Sequence, residues 1–334
     1  MKIIVDAFGG DYAPEEIVSG CILALKKYED LIICLTGDKE ELTKVLLKNM
    51  FSSKRLEIAD AKEIITNDET PTVAIKKKTN SSLVVAFDLL KTDSDAIGML
   101  SAGSTGAVLT GAFLKIGRLD GVSRPSLSPV LPTWDSKGCM LLDVGANVDC
   151  KPINLLHFAY MGNEYMKALG RDNPRIGLLN IGTEEHKGNE LTKDTYALLK
   201  QSILNFIGNV EAREIMSGNV DVVVADGFAG NIALKSAEGL AKNMLKALKL
   251  QLTSSFSAKI GALLIKKKLK KVKDMFDYNL YGGAPLLGLK KIVIKSHGDS
   301  KAETILRCID QILLLNEKKL CEHIATAVSD EKVQ

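Results

Sequence analysis

With 334 residues, 46% of them hydrophobic and 25% charged, the chain suffices for one large globular domain or two modest ones. Its net charge of +3 is too mild for a DNA binder, and 5% aromatic content leaves few rings for stacking single-stranded bases. Six scattered cysteines with no C-x-x-C pair argue against zinc or thioredoxin-type chemistry and read as buried thiols in a reducing compartment.

The chain opens directly on strand-like KIIVDAF rather than on a signal peptide, which predicts a cytoplasmic location. Pro14 starts a helix with Ile17, Cys21, Ala24, Leu25 and Tyr28 on one face. Residues 31–37 read as a second strand, KEELTKVLLKN as a helix, and 56–61 as a third, short strand. Thr70-Pro71 begins another helical region carrying Lys76, Lys77 and Lys78, and SSLVVAFDLLK follows as an amphipathic helix. Such alternation predicts an α/β sheet.

Residues 127–142 break the rhythm. SLSPVLPTW, the turn from Asp135 to Gly138, and CMLLDVG predict a β-hairpin, so part of the sheet is expected to be antiparallel. A helix over 153–169, a strand over 176–181, a helix over 189–207 and a strand over 220–225 restore the alternation before a long helix from Asn231. Between 240 and 278 the pattern changes again. Leu240, Met244, Leu245, Leu248 and Leu252 form one apolar face; Phe256, Ile260 and Leu263 begin a second, continued in shifted register by Ile265, Leu269, Val272 and Phe276. Lys259, Lys266, Lys267, Lys268, Lys270, Lys271 and Lys273 are interleaved. This segment is either a solvated face with core contacts or a basic amphipathic helix meeting anionic lipid or an acidic protein. No run approaches the roughly 20 apolar residues that span a bilayer. The last 20 residues read as one more amphipathic helix and a polar tail.

Six apolar runs end in small, polar, glycine-bearing loops: IIVDAFGGD, IGMLSAGSTGA, MLLDVGAN, IGLLNIGTEEHKGNE, DVVVADGFAGN and IVIKSHGDS. Apolar runs suit strands buried on both faces, and ligands of such sheets bind at the strands' carboxyl ends. Gly182, Thr183, His186 and Lys187 lie between a strand and a helix, where backbone N–H groups favour an anion and Lys187 adds a full charge. The Lys-Gly order is not a Walker A loop. Asp226, Gly227, Gly230 and Asn231 are placed alike, with Asn231 offering both donor and acceptor to a carbonyl or phosphate oxygen. Gly103, Ser104, Thr105 and Gly106, with Asp143, Gly145 and Asn147, supply further donors, and Gly10 and Asp11 form a permissive first loop. None fits G-x-G-x-x-G, which removes the main support for a dehydrogenase. No G-x-S-x-G elbow or Ser/His/Asp set is present, so in an acyl transfer the attacking group is expected to be the substrate itself. His157 and His323 lie in helical segments and read as structural, whereas His186 and His297 sit in strand-end loops. No metal or cofactor site is read from the chain.

VDAFGGDYAPEEIV, SAGSTGA, LLDVGANVDCKP, GLLNIGTEEHKGNEL, DGFAGNIALK and YGGAPLLG, in this order from residue 1 to about 310, resemble the bacterial acyl-(acyl-carrier-protein):phosphate acyltransferases of phospholipid synthesis, the PlsX family. The resemblance implies transfer of a fatty acyl group from acyl carrier protein to inorganic phosphate. It implies a three-layer α/β/α sandwich with a mixed, mostly parallel sheet, similar to the isocitrate-dehydrogenase and phosphate-acetyltransferase group. One domain over 1–334 is expected, with 240–278 as a helical protrusion for dimer or membrane contact. A homodimer, peripheral membrane association and a downstream glycerol-3-phosphate acyltransferase are implied as well, and no nucleic acid. Ser104 stands where the family's usual motif has Asn, and His186 is not read as an essential base. The expected roles are electrostatic for Lys187 and orienting or oxyanion-binding for Asn231, with the remaining loop residues as a phosphate cradle. Lysines at 76–78 or 259–273 are candidates for docking the acidic carrier protein. A phosphate acetyltransferase using acetyl-CoA and a non-enzymatic membrane-surface protein are the competing readings.

Overall fold

The computed structural model describes residues 1–275 and 281–331. The chain begins with β1 (Lys2–Asp6), α1 (Glu15–Lys27), β2 (Ile32–Gly37), α2 (Lys39–Lys48), β3 (Leu56–Asp60), α3 (Pro71–Lys77), α4 (Ser82–Thr92), β4 (Ala96–Ser101) and α5 (Thr105–Gly111). Next come β5 (Ser126–Leu127), β6 (Val130–Leu131), β7 (Cys139–Leu142), α6 (Pro152–Ala168), β8 (Ile176–Leu179), α7 (Glu190–Gln201), β9 (Phe206–Val210) and β10 (Val222–Val224). Last are α8 (Gly227–Leu252), α9 (Phe256–Met275), β11 (Ala284–Leu287), β12 (Ile292–Lys295), α10 (Ala302–Glu317) and α11 (Leu320–Glu331). They form two compact units, one of residues 1–128, 167–171 and 281–334, the other of 129–166 and 172–280.

The first unit holds a sheet in the order β3-β2-β1-β4-β12-β11-β5. Its first five strands run parallel, while β11 is antiparallel to both β12 and β5. Ile3, Ile4 and Val5 are fully buried in succession, as a strand covered on both faces requires. Two helices with apolar stripes supply part of that cover. In α1, Ile17, Cys21, Ala24 and Leu25 are buried, and Gly20 lets α10 approach so closely that a side chain there would strike Ile305. In α4, Leu83, Val84, Phe87 and Leu90 are buried, each such side chain contributing about 1.5–3 kcal/mol. Acidic Glu15 and Glu16 open α1 and basic Lys26 and Lys27 close it, matching the helix dipole.

The second unit holds the sheet β6-β7-β10-β8-β9, parallel except for β6. The expected hairpin is there over Val130–Leu142, but Ser126 and Leu127 pair with β11 instead. The helix expected over 189–207 ends at Gln201, where Ser202 turns its hydroxyl back onto the Leu199 carbonyl. The rest of that range enters β9, whose Phe206 stacks edge-on against Tyr196 at 5.1 Å. The long helix starts at Gly227 rather than Asn231, because the Asp226 carboxylate caps the Phe228 and Ala229 N–H groups.

Beyond Leu240, α8 and then α9 expose Met244, Leu248, Phe256, Ile260, Leu263 and Val272 together with Lys259, Lys266, Lys267, Lys268, Lys270 and Lys271. Phe276 lies outside the described residues. The helix expected in the last 20 residues is α11, α10 precedes it as a further helix, and the polar tail from 332 lies outside the described residues.

Candidate active site

Three strand-end loops of the first unit converge, those after the neighbouring parallel strands β1, β4 and β12. Asp11 donates its N–H to the Gly298 carbonyl at 2.7 Å, joining the first loop to the third. A Cβ on Gly9 would stand 2.5 Å from the Gly103 nitrogen and 2.7 Å from an Asp6 carboxylate oxygen, so the first loop lies on the second only because residue 9 is glycine. Gly10, Gly103 and Ser104 are half-buried at this junction, and Asp11 and Thr105 are exposed. Ser104 precedes α5 without capping it, which leaves its hydroxyl available to a ligand. Gly106 faces the Pro71 ring and serves packing. His297 pairs with Asp299 at 2.7 Å on the surface. Beneath the loops is a row of buried polar side chains, Asp6, Ser101 and Lys295.

In the second unit the loop after β7 folds on the buried Asp143. Its carboxylate accepts N–H groups from Ala146 and Asn147 at 3.2 and 2.6 Å and the Asn147 amide at 3.0 Å. Asp143 and Asn147, expected to touch phosphate, are thus turned inward to hold the loop. Gly230 packs against the Asp143 carbonyl so tightly that any Cβ would overlap it. The amides expected to cradle an anion at the start of α8 are already engaged: Gly227 donates to the Asn147 carbonyl, Phe228 and Ala229 to Asp226, and Gly230 to the Asp226 carbonyl. The carboxylate cap therefore replaces an anion there. What remains on offer is the side chain of Asn231, exposed in the first turn, with its amide beside Gly145.

The loop after β8 carries Lys187, half-buried, with its stem against Gly182. Lys187 enters no ion pair among the described residues, while the nearby Glu185 is taken by Lys200 at 3.0 Å. Two asparagines hold the loop. Asn180 donates its amide to the Lys187 carbonyl at 3.2 Å and accepts the Ile181 N–H at 2.8 Å. Asn209, in β9, donates to the Glu184 carbonyl at 2.8 Å. Asn189 caps α7 through the Thr192 N–H. Thr183 and His186 are exposed on the outside of the turn. Sequence reading passed over Asn180, Asn209, Asp6 and Lys295; the available signal was a polar residue closing, or set within, an apolar strand.

An apolar groove of about 1120 Å³ runs along α8 within this same unit. At one end it meets the strand-end loops at Asn180, Gly188, Asp226 and Phe228, and from there Ile232, Ala233, Ala237, Leu240, Met244 and Leu248 line it. A helix of this length, 26 residues, extends about 39 Å at 1.5 Å per residue.

A sequence profile described as "Fatty acid synthesis protein" matches residues 1–323. A "Phosphate acyltransferase" of Bacillus cereus is 47% identical over 335 residues, covering 100% of both chains. One of Clostridium acetobutylicum is 47% identical, covering 99% of each, and one of Thermoanaerobacterium thermosaccharolyticum 50% identical, covering 97% of this chain and 96% of that one. Among solved structures, a phosphotransacetylase from Streptococcus pyogenes superposes with a TM-score of 0.63 at 21% identity, covering 96% of this chain and 94% of that one. A putative 4-hydroxythreonine-4-phosphate dehydrogenase from Salmonella typhimurium gives 0.53 at 13%, covering 94% and 99%. These structural likenesses carry the fold: mixed, mostly parallel sheets with helices on both sides, an α/β sandwich. By its end-to-end match, the chain belongs to the fatty acid synthesis protein family, that of the phosphate acyltransferases.

Proposed function

We propose that this phosphate acyltransferase takes a long fatty acyl group from the thioester of acyl carrier protein and places it on inorganic phosphate, for phospholipid synthesis. The observation that carries the long-chain reading is the groove along α8, apolar over most of its length and open to the strand-end loops. An acetyl group would leave it empty.

In the reaction a phosphate oxygen attacks the thioester carbonyl carbon. The tetrahedral oxyanion collapses with cleavage of the C–S bond, and the departing thiolate takes up a proton. Phosphate is already an anion and a thiol has a pKa of roughly 8.5, so neither end of the reaction demands a strong base or acid. The chemistry needs capture, alignment and a partner for the oxyanion. Lys187, a half-buried cation with no carboxylate partner among the described residues, supplies the charge; Asn231 supplies the hydrogen bond. In the first unit, taken by itself, Gly10, Gly103, Ser104 and Thr105 are the proposed phosphate contacts. The exposed apolar residues and lysines of α8 and α9 support a homodimer and attachment at a membrane surface; no described helix is long and apolar enough to cross a membrane.

The test follows phosphate-dependent loss of thioester with donors of increasing chain length. Each methylene held in the groove should tighten binding about fourfold, from about 0.8 kcal/mol per buried CH₂, and Ala237→Trp, which blocks the groove, should abolish that gradient. Equal use of acetyl-CoA and long-chain acyl carrier protein would favour the phosphate acetyltransferase reading. Lys187→Ala and Asn231→Ala should each lower turnover at least tenfold with the fold intact; near-normal rates in both would remove the site assignment.

A further inference from the structure

Asp6, Ser101 and Lys295 are neighbours across three strands: Asp6 pairs in register with Ser101, and Ser101 with Lys295. All three stand at the carboxyl ends of their strands, and all are buried, Asp6 at 2% exposure, Ser101 at 0% and Lys295 at 7%. Ser101 links them to the loops. Its hydroxyl donates to Asp6 at 2.7 Å and accepts the Gly103 N–H at 3.1 Å. The Lys295 ammonium donates to the Ala102 carbonyl at 3.4 Å and to the Ser296 carbonyl. Gly9 rests directly on the Asp6 carboxylate. The other carboxylate oxygen of Asp6 is buried without a hydrogen-bond partner among the described residues.

A buried row of titratable side chains is weak evidence for stability. Buried ion pairs replaced by apolar groups of similar volume often leave a protein equally or more stable. An ionic row kept beneath the loops where an α/β sheet receives ligands points to a task at those loops. We infer that Asp6, Ser101 and Lys295 are positioning residues for phosphate, fixing the backbone of Gly9–Gly10 and Ala102–Ser104 from below. This rests on the reading that those loops hold phosphate. Burial pushes the Asp6 carboxyl above its ordinary value, against the pull of Ser101, Ser82 and the Phe8 N–H and, last, of the Lys295 charge.

The experiment compares Lys295→Met and the doubly neutral Asp6→Asn/Lys295→Met protein with wild type, using whichever thioester the wild type accepts. Read out are the KM for phosphate, the KM for the donor, and the rise in thermal midpoint on adding phosphate. The phosphate KM should rise at least tenfold in both variants, with the donor KM within twofold and the phosphate-induced stabilisation lost. The double variant should regain thermal stability without regaining phosphate affinity. A double variant that recovers both, or a phosphate KM within twofold of wild type, would show a packing role and overturn the inference. Should Lys295→Met fail to fold, Ser101→Ala, which changes no charge, must show the raised phosphate KM; a normal value there overturns it equally. Failure of the donor reading shows separately, as wild-type indifference to acyl carrier protein.

Discussion

Asn209 permits a clean separation of loop positioning from stability. The residue is 5% exposed, its side-chain amide donates to the Glu184 carbonyl at 2.8 Å, and its Oδ1 is buried with no partner among the described residues. In Asn209→Leu the lost hydrogen bond costs about 0.5–1.5 kcal/mol, since the freed Glu184 carbonyl sits in an exposed loop and is rehydrated. Against that, removing an unsatisfied buried oxygen relieves about 1–3 kcal/mol. The balance runs from about 0.5 kcal/mol lost to about 2.5 kcal/mol gained, so the thermal midpoint should hold or rise. The turn carrying Lys187, however, loses one of its two asparagine pins. If the bond's 0.5–1.5 kcal/mol serves to hold Lys187 in place, kcat/KM should fall roughly two- to twelvefold. Calorimetry and steady-state kinetics on the same preparation decide the matter. A large loss of stability with normal kinetics would make Asn209 a core residue and refute the pin.

Lys2 bridges Glu57 at 2.9 Å and Asp93 at 3.0 Å, and its ammonium holds the Asp93 carboxyl below the ordinary range. The stability this contributes is present above the unfolded value of about 4 and is lost as pH falls through the lower folded value. Unfolding free energies of wild type and Lys2→Met should therefore differ at neutral pH and converge toward pH 2; a constant gap would refute the linkage. Gly230→Ala should lower stability by about 1–3 kcal/mol, because its Cβ must displace the Asp143 carbonyl and with it the start of α8. Chemical denaturation measures it, and an unchanged midpoint would mean the loop yields freely. Burial pushes the Cys308 thiol up to about 12 and raises Cys21 further. A thiol reagent at neutral pH should thus reach half-exposed Cys150 first and Cys21 and Cys308 only on unfolding, with rapid labelling of either buried thiol as the contrary result.

Much of the fold was legible because buried strands and amphipathic helices leave different periodicities. Ile3 to Val5 and Val222 to Val224 are uniform apolar runs, and α1 shows its stripe plainly. What escaped were elements whose local pattern is weak. FIGNV of β9 has a glycine and an asparagine in its interior, and it follows a helical stripe closely enough to be absorbed into it. APLL of β11 is short, begins beside glycines and pairs antiparallel, so its stability comes from β12 and β5 rather than from its own sequence.

The site divided along a different line. Sequence located the loops, since glycine and polar residues after an apolar run mark a strand's carboxyl end, but it could not say which polar groups were already engaged. Asp143, Asn147 and Asp226 have the chemistry of ligand contacts and use it to hold their own loops and helix start. That assignment depends on where each donor finds its acceptor, a property of three-dimensional closure rather than of composition. The same accounting raises Lys187 and Asn231, because among the described residues their side chains carry no hydrogen-bond or ion-pair partner. It also raises Asp6 and Lys295, which sequence hid among apolar neighbours: an ionisable group at the end of a buried strand is costly there unless a neighbour or a ligand compensates it. In this protein the groups satisfied within the loops set the architecture, and on the function proposed above Lys187 and Asn231 are the ones offered to phosphate.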